Sequence, residues 1–240
     1  MKRSGLARAL SKRGYCSRSV AAALIAAGRV TLDGRVERNP EAPTTADSRI
    51  AVDGAAVGAA APVYLMLNKP RGRVTTAADE HSRDTVYGCL EGANLPWVGP
   101  VGRLDKASEG LLLMTNDTEW AARLTEPVHG VTKTYHVQID RVPDAALIDA
   151  LRAGVSLDDG TRLAVAGAQI LRAGERRGWL EIVLDEGRNR HLRRLLAALG
   201  VDVLRLVRVA IGDLRLADLP KGAWRLLTAD EVRMLGGPGA

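Results

Sequence analysis

The chain has 240 residues, of which 46% are hydrophobic, enough apolar material for a packed core in one large domain or two smaller ones. No run approaches the roughly 18 apolar residues that cross a bilayer, and charge interrupts the leading MKRSGLARALSKRG too often for a secretory signal, so a soluble cytoplasmic protein is expected. Cys16 and Cys89 have no CxxC spacing, which argues against a zinc site or disulfide framework, and the net charge of +6 is unevenly spread.

Through residue 60 there are ten Lys/Arg against five acids, so all but one of the surplus positive charges lie in the leading quarter. Such a surface fits either a solvated face or an anchor for a phosphate backbone. Within it, SRSVAAALIAAGRV offers Ser17 as an N-cap, Val20, Leu24 and Ala27 at helical spacing, and Gly28 as a C-terminal stop. RVTLDG then alternates like a short strand and turns at Asp33-Gly34, and the same rhythm returns in RIAVDG at 49–54. Two helices followed by a small hairpin-rich sheet, with Lys12, Arg13 and Arg18 at the helix junction, resemble the RNA-binding domain named after ribosomal protein S4. The resemblance covers residues 4–55 and implies that Lys12, Arg13 and Arg18 grip structured RNA.

GAAVGAAAP, residues 54–62, has little side-chain volume to pack and reads as a linker. The expected domains are therefore 1–58 and 59–240. Strand candidates beyond it include VYLMLN, LLLMTN, TYHVQID, LAVAGAQIL, WLEIVL and VLRLVRVAIG, with helices at TEWAARL, PDAALIDALRAG and RNRHLRRLLAALG. They interleave without regular βα alternation. An α+β chain is expected, with a small N-terminal α/β domain joined to a mixed, largely antiparallel one.

In GRLDKASEGLLLMTND, residues 102–117, Arg103 and Asp105 precede an apolar run. If residues 101–105 are extended, period-two alternation sends both charges to one face and Leu104 into the core. LLLMT reads as a fully buried strand, and Asn116-Asp117-Thr118 as the turn and N-cap of the next helix. An Arg-x-Asp pair is most simply a surface ion pair. Held from behind by core, it is also the kind of place where a rigid scaffold presents reactive groups.

LNKPRG (67–72), GRLDKASEGLLLMTND, KTYHV (133–137) and DEGRNRHLRRLLAALG (185–200), in that order, resemble the successive motifs of the RsuA/RluB family of pseudouridine synthases, for which a leading S4-type domain is the usual arrangement. The resemblance implies isomerisation of a uridine within RNA to pseudouridine. By it, Asp105 is the catalytic carboxylate, acting as nucleophile or, through a glycal, as base. Arg188 is its basic partner, orienting it bidentately and favouring the anion. Tyr135 stacks on the uracil with its hydroxyl free for proton transfer. Arg103 holds the RNA with the nucleotide flipped out, and Lys69, counted among the RNA-binding residues, shapes the floor of the site with Asn68.

Leu192, Leu195, Leu196 and Leu199 form an apolar stripe on the helix after Arg188. Arg190 and Arg194 lie off that stripe and are assigned to phosphates. His191 stands where a glutamine is common in the family, and Lys106-Ala107-Ser108 departs from its usual threonine. No P-loop or GxGxxG marks a cofactor, and His81, His129, His136 and His191 are too scattered for a metal. A redox-neutral isomerisation needs neither. The expected partner is ribosomal RNA or a pre-ribosomal particle, with no membrane, and the chain is expected to be a monomer. The GRNR form of the last motif looks more like enzymes acting on large-subunit than on small-subunit ribosomal RNA. Two other classes fit the composition: a non-catalytic ribosome assembly factor that keeps the fold, and a glycosidic hydrolase pairing Asp105 with a second carboxylate, for which Glu109 is nearest in sequence.

Overall fold

The computed structural model describes residues 4–77, 83–157 and 159–237; His81 falls outside them. The leading part contains β1 (Ser4–Gly5), α1 (Leu6–Lys12), α2 (Arg18–Ala26), β2 (Val30–Leu32), β3 (Arg35–Glu37), β4 (Pro43–Thr44), β5 (Ile50–Val52) and β6 (Ala55–Ala56). Ser17 caps α2 by accepting a hydrogen bond from the Val20 N–H at 3.2 Å. The buried face of α2 is Ala21 and Ile25, whereas Val20 is 46% exposed, so the predicted apolar face is rotated by one residue. α1 and α2 pack on a sheet of order β3-β2-β5-β6. Its two hairpins turn at Asp33-Gly34 and Asp53-Gly54, all four residues with positive φ, the backbone that a two-residue type I′ turn demands. The predicted linker starts inside this sheet: Ala55–Ala56 is β6, and Val57 belongs to the same buried cluster as Leu6, Leu10, Ile25 and Val30.

The rest of the chain contains β7 (Tyr64–Lys69), β8 (Gly99–Val101), β9 (Glu109–Thr115), α3 (Thr118–Thr125), β10 (Lys133–Ile139), α4 (Ala145–Ala153), β11 (Val155–Ser156), β12 (Arg162–Leu163), β13 (Gly167–Ala173), β14 (Gly178–Leu184), α5 (His191–Ala198), β15 (Val203–Ile211), β16 (Leu214–Arg215), β17 (Trp224–Leu226) and α6 (Ala229–Met234). Nine of these strands form one sheet, β13-β14-β10-β15-β9-β7-β17, with β8 beside β9 and β16 beside β15. Every pairing within it is antiparallel except β9 with β15. The fold is thus α+β with a mixed, largely antiparallel sheet.

β9 is buried along its whole length because both faces are covered. Leu111 and Leu113 join Trp120 and Leu124 of α3, while Leu112 and Met114 join Leu65 and Leu67 of β7 in a second cluster. A strand covered on both sides reads as a continuous apolar run, as LLLMT does. The third cluster packs the leucines of α4 and α5 against β10 and β14. Where β9 meets β15, Gly110 has φ +102°, and a Cβ there would lie 2.3 Å from the Arg208 carbonyl oxygen. Only glycine lets the two backbones approach this closely. No described helix is long and apolar enough to cross a membrane.

Candidate active site

The polypeptide leaves β8 at Val101 and runs through Gly102, Arg103, Leu104 and Asp105 to a turn closed by the Ser108 N–H donating to the Asp105 carbonyl at 3.0 Å. Leu104 is buried among Leu65, Leu67 and Leu112, and the charges on either side of it line a cleft of about 270 Å³. The chain near the end of β7 holds this loop from behind. The Thr75 hydroxyl donates to the Leu104 carbonyl at 2.7 Å and accepts from the Leu104 N–H at 3.3 Å. The Gly72 N–H donates to the Lys106 carbonyl at 2.8 Å.

Lys69 completes the clamp and corrects an expectation. Its side chain is fully buried, so it does not meet RNA. Its Nζ donates instead to the carbonyls of Ser108 at 2.7 Å, Asp105 at 3.0 Å and Pro70 at 3.2 Å. Burial pulls its pKa down to about 8, against the favourable fields of Asp105 and Glu109. Below that pH three N–H groups serve three carbonyls; above it, two remain. Activity is therefore expected to fall on the alkaline side with a midpoint near 8. Lys69→Met orphans all three carbonyls at about 1–3 kcal/mol each, partly offset by removing a buried charge. A net loss of about 3 kcal/mol is expected, read as a melting temperature lower by roughly 6–12 °C.

Tyr135 reaches the cleft from β10, where it pairs with Ile182 of β14 and Arg208 of β15. Its ring packs against two of the core clusters, and its hydroxyl makes no hydrogen bond among the described residues. Arg188 and Arg190 also line the cleft. Arg190 is the N-cap of α5 and has left-handed backbone, φ 50°.

The expected grip of Arg188 on Asp105 is not present. Its Nε donates to Glu186 Oε2 at 2.7 Å and its Nη1 to the Arg162 carbonyl at 3.2 Å, and no ion pair joins it to Asp105 among the described residues. The other oxygen of Glu186 lies 3.1 Å from Nδ1 of His191, which is buried beneath the cleft. Besides the buried Lys69, a second cation in the field of Asp105 is Arg193, in the first turn of α5. Burial lowers its pKa, with Arg190 and Arg71 adding to that and Asp105 opposing it. Its Nη2 donates to the Ala107 carbonyl at 3.1 Å, inside the Asp105 loop, and its Nη1 to the Val203 carbonyl at 3.3 Å. Arg208, also on the cleft wall, is buried and donates through Nε to the Leu111 carbonyl at 2.7 Å. The sequence reading missed both Arg193 and Arg208. The available signal for Arg193 was its position flanking the buried stripe of Leu192 and Leu196.

The remaining basic residues lie elsewhere. Arg194 donates to Asp159 Oδ2 at 2.6 Å and is outside the cleft lining. Arg13 is turned into its own domain, donating to the carbonyls of Ser48 at 2.6 Å, Val57 at 2.8 Å and Ala46 at 3.5 Å. Its guanidinium is engaged with backbone that a phosphate would have to displace. Lys12 Nζ lies 3.7 Å from Glu119 Oε1. Arg18 is exposed and has neither ion pair nor hydrogen bond among the described residues. Glu109 does not face the cleft: Arg205 binds it bidentately at 3.0 and 3.2 Å from one side and Lys221 from another. The described residues gather no group of three or more His, Cys, Asp or Glu that could hold a metal ion.

An acid loop clamped from behind, an aromatic residue and a set of arginines line one small cleft. Residues 63–198 match the family model described as RNA pseudouridylate synthase. The chain belongs to that family. Residues 5–50 of this synthase match the S4 domain. It is 35% identical over 233 residues to the ribosomal large subunit pseudouridine synthase B of Bacillus subtilis, covering 96% of this chain and 94% of that one. It is 42% identical over 185 residues to the ribosomal large subunit pseudouridine synthase E of Xanthomonas campestris, covering 71% of this chain and 98% of that one. A crystal structure of a pseudouridylate synthase superposes with a TM-score of 0.67 at 26% identity, covering 96% of the synthase and 99% of its counterpart.

Proposed function

We propose that this synthase isomerises a uridine of large-subunit, 23S-type ribosomal RNA, with Asp105 acting on a nucleotide flipped out of the RNA. The observation that carries the proposal is the convergence of Asp105, Tyr135 and Arg193 on one cleft, with the loop bearing Asp105 fixed by Lys69 and Thr75. The relatives named as large-subunit synthases support the choice of RNA.

In the reaction the N1–C1′ bond breaks, the uracil turns, a C5–C1′ bond forms, the C5 proton leaves and N1 takes a proton. Nothing is oxidised or reduced. Asp105 either attacks C1′ or removes the proton from C2′; in both routes it needs to be an anion beside the ribose. Arg193 supplies the compensating charge from α5. Tyr135 presents a ring to the uracil and a hydroxyl that can accept or relay the C5 proton. Arg103, exposed at the mouth of the cleft, occupies the position from which a guanidinium can hold the RNA that the uridine has left. A glycosidic hydrolase is disfavoured because Glu109, the second carboxylate it would use, is neutralised away from the cleft.

Mapping pseudouridine in ribosomal RNA by carbodiimide treatment and primer extension, in cells with and without the gene, tests this reading. One modification missing from 23S RNA, restored by the wild-type protein and not by Asp105→Asn, is the expected result. An unchanged map in both subunits would leave only a non-catalytic ribosome factor.

A further inference from the structure

A second cavity, of about 610 Å³, opens between α1 and α2 on one side and the catalytic sheet on the other. Arg8, Arg18 and Ser19 form one wall; Trp97, Thr118 and Ala121 contribute to the other. Arg8 and Arg18 are exposed and unpaired among the described residues. The Trp97 ring stacks on Tyr87 at 4.7 Å, with 15° between their planes, so its position is fixed. Thr118 Oγ1 is buried without a hydrogen-bond partner.

Backbone contacts tie the two sides of this groove together. The Trp97 N–H donates to the Gly14 carbonyl at 2.8 Å, and the Ala60 N–H to the Arg13 carbonyl at 3.2 Å. Gly14 has φ +71°, and a Cβ there would lie 2.8 Å from Pro96 Cβ and 2.9 Å from Ala60 Cβ. The absence of a side chain at 14 lets the two parts close to this distance.

The groove and the active cleft are two spaces lined by successive residues of the same two elements. On β8, Gly99 and Pro100 line the groove, while Val101 and the following Gly102 and Arg103 line the cleft. On α3, Thr118 and Ala121 line the groove, while Leu124 and Thr125 line the cleft. Residues at this spacing share one helix face, so about one turn of helix, roughly 5 Å, separates the two spaces.

We infer that this groove seats the single-stranded RNA segment flanking the target uridine and delivers that uridine along the shared face of α3 into the cleft. Guanidinium groups suit its phosphates, hydroxyl-bearing side chains its 2′-hydroxyls, and a fixed aromatic edge its bases; single strands are recognised by this combination. The inference rests on the synthase reading above and adds the path of the substrate. It also moves the leading domain's RNA contacts from Arg13 to Arg8 and Arg18.

The test compares wild type with Arg8→Ala/Arg18→Ala and, separately, Ala121→Trp, which fills the groove without changing charge. Release of tritium from RNA labelled at uridine carbon 5 gives kcat and KM, and RNA retention against salt gives the slope. For the arginine variant KM should rise about tenfold or more with kcat held, and the salt slope should shrink by about 1.4, the sum for two single-strand phosphate contacts. Ala121→Trp should raise KM with the slope unchanged. In wild type, 4-thiouridine placed next to the target should crosslink to the peptide containing Trp97. Wild-type KM and slope in both variants, with crosslinks elsewhere, would overturn the groove assignment while tritium release by wild type left the synthase reading standing. No release by wild type on 23S-type RNA would instead count against that reading itself.

Discussion

Arg193→Met is expected to lower the single-turnover rate of pseudouridine formation by about a hundredfold to a thousandfold, whereas Arg188→Met should mainly raise KM. Arg193 is half-buried, has no carboxylate hydrogen-bonded to it among the described residues, and has Asp105 as the acid in its electrostatic surroundings. Losing one preorganised donor group beside the reacting atoms costs about 2.7–4 kcal/mol, and each 1.36 kcal/mol on a barrier is about tenfold in rate. Methionine keeps most of the volume and removes only the charge and its donors. Arg193→Lys, which keeps a cation but cannot span both the Ala107 and Val203 carbonyls, should recover part of the loss. A folding defect would depress both variants equally, so the difference between Met and Lys isolates the charge. Arg188 is already neutralised by Glu186 and is free to exchange that carboxylate for an RNA phosphate, an effect on binding.

The contrast between these two arginines shows what the amino-acid sequence could and could not convey. DEGRNRHLRR presents four arginines within seven positions, and a linear motif does not say which of them meets Asp105. That is decided by where α5 begins. Arg190 takes the left-handed N-cap conformation, the helix starts at His191, and the resulting phase sends Arg193 toward the Asp105 loop and Arg194, about 100° further round, toward Asp159. β9 was legible because a strand covered on both faces has no periodicity to misread. The α3 N-cap was legible because Asp117 does locally what an N-cap must, accepting from the N–H groups of Glu119 and Trp120 at 3.0 and 3.1 Å. Lys69 and Arg13 were misread for a common reason. Both carry cations whose partners are backbone carbonyls distant in sequence, and carbonyl acceptors leave no mark in a string of side chains. A lysine directly after the apolar run VYLMLN was nonetheless a hint of burial. The groove lay beyond sequence reading altogether, because Arg8 and Arg18 acquire a facing wall only when Gly14 docks against Trp97.

The chemistry rests on the Asp105 carboxylate. Asparagine in its place keeps the shape of the side chain and the backbone hydrogen bonds that Lys69 and Ser108 make to residue 105, and it removes the anion. Neither attack on C1′ nor removal of the C2′ proton is then available, and loss of a group essential to both routes costs on the order of a thousandfold or more. The most direct measurement is single-turnover tritium release from uridine-5-labelled 23S-type RNA by wild type and Asp105→Asn, each above its own RNA dissociation constant. Full release by wild type and none by the variant, with RNA retained equally by both, is the predicted result; release by Asp105→Asn at a rate within about tenfold of wild type would contradict it.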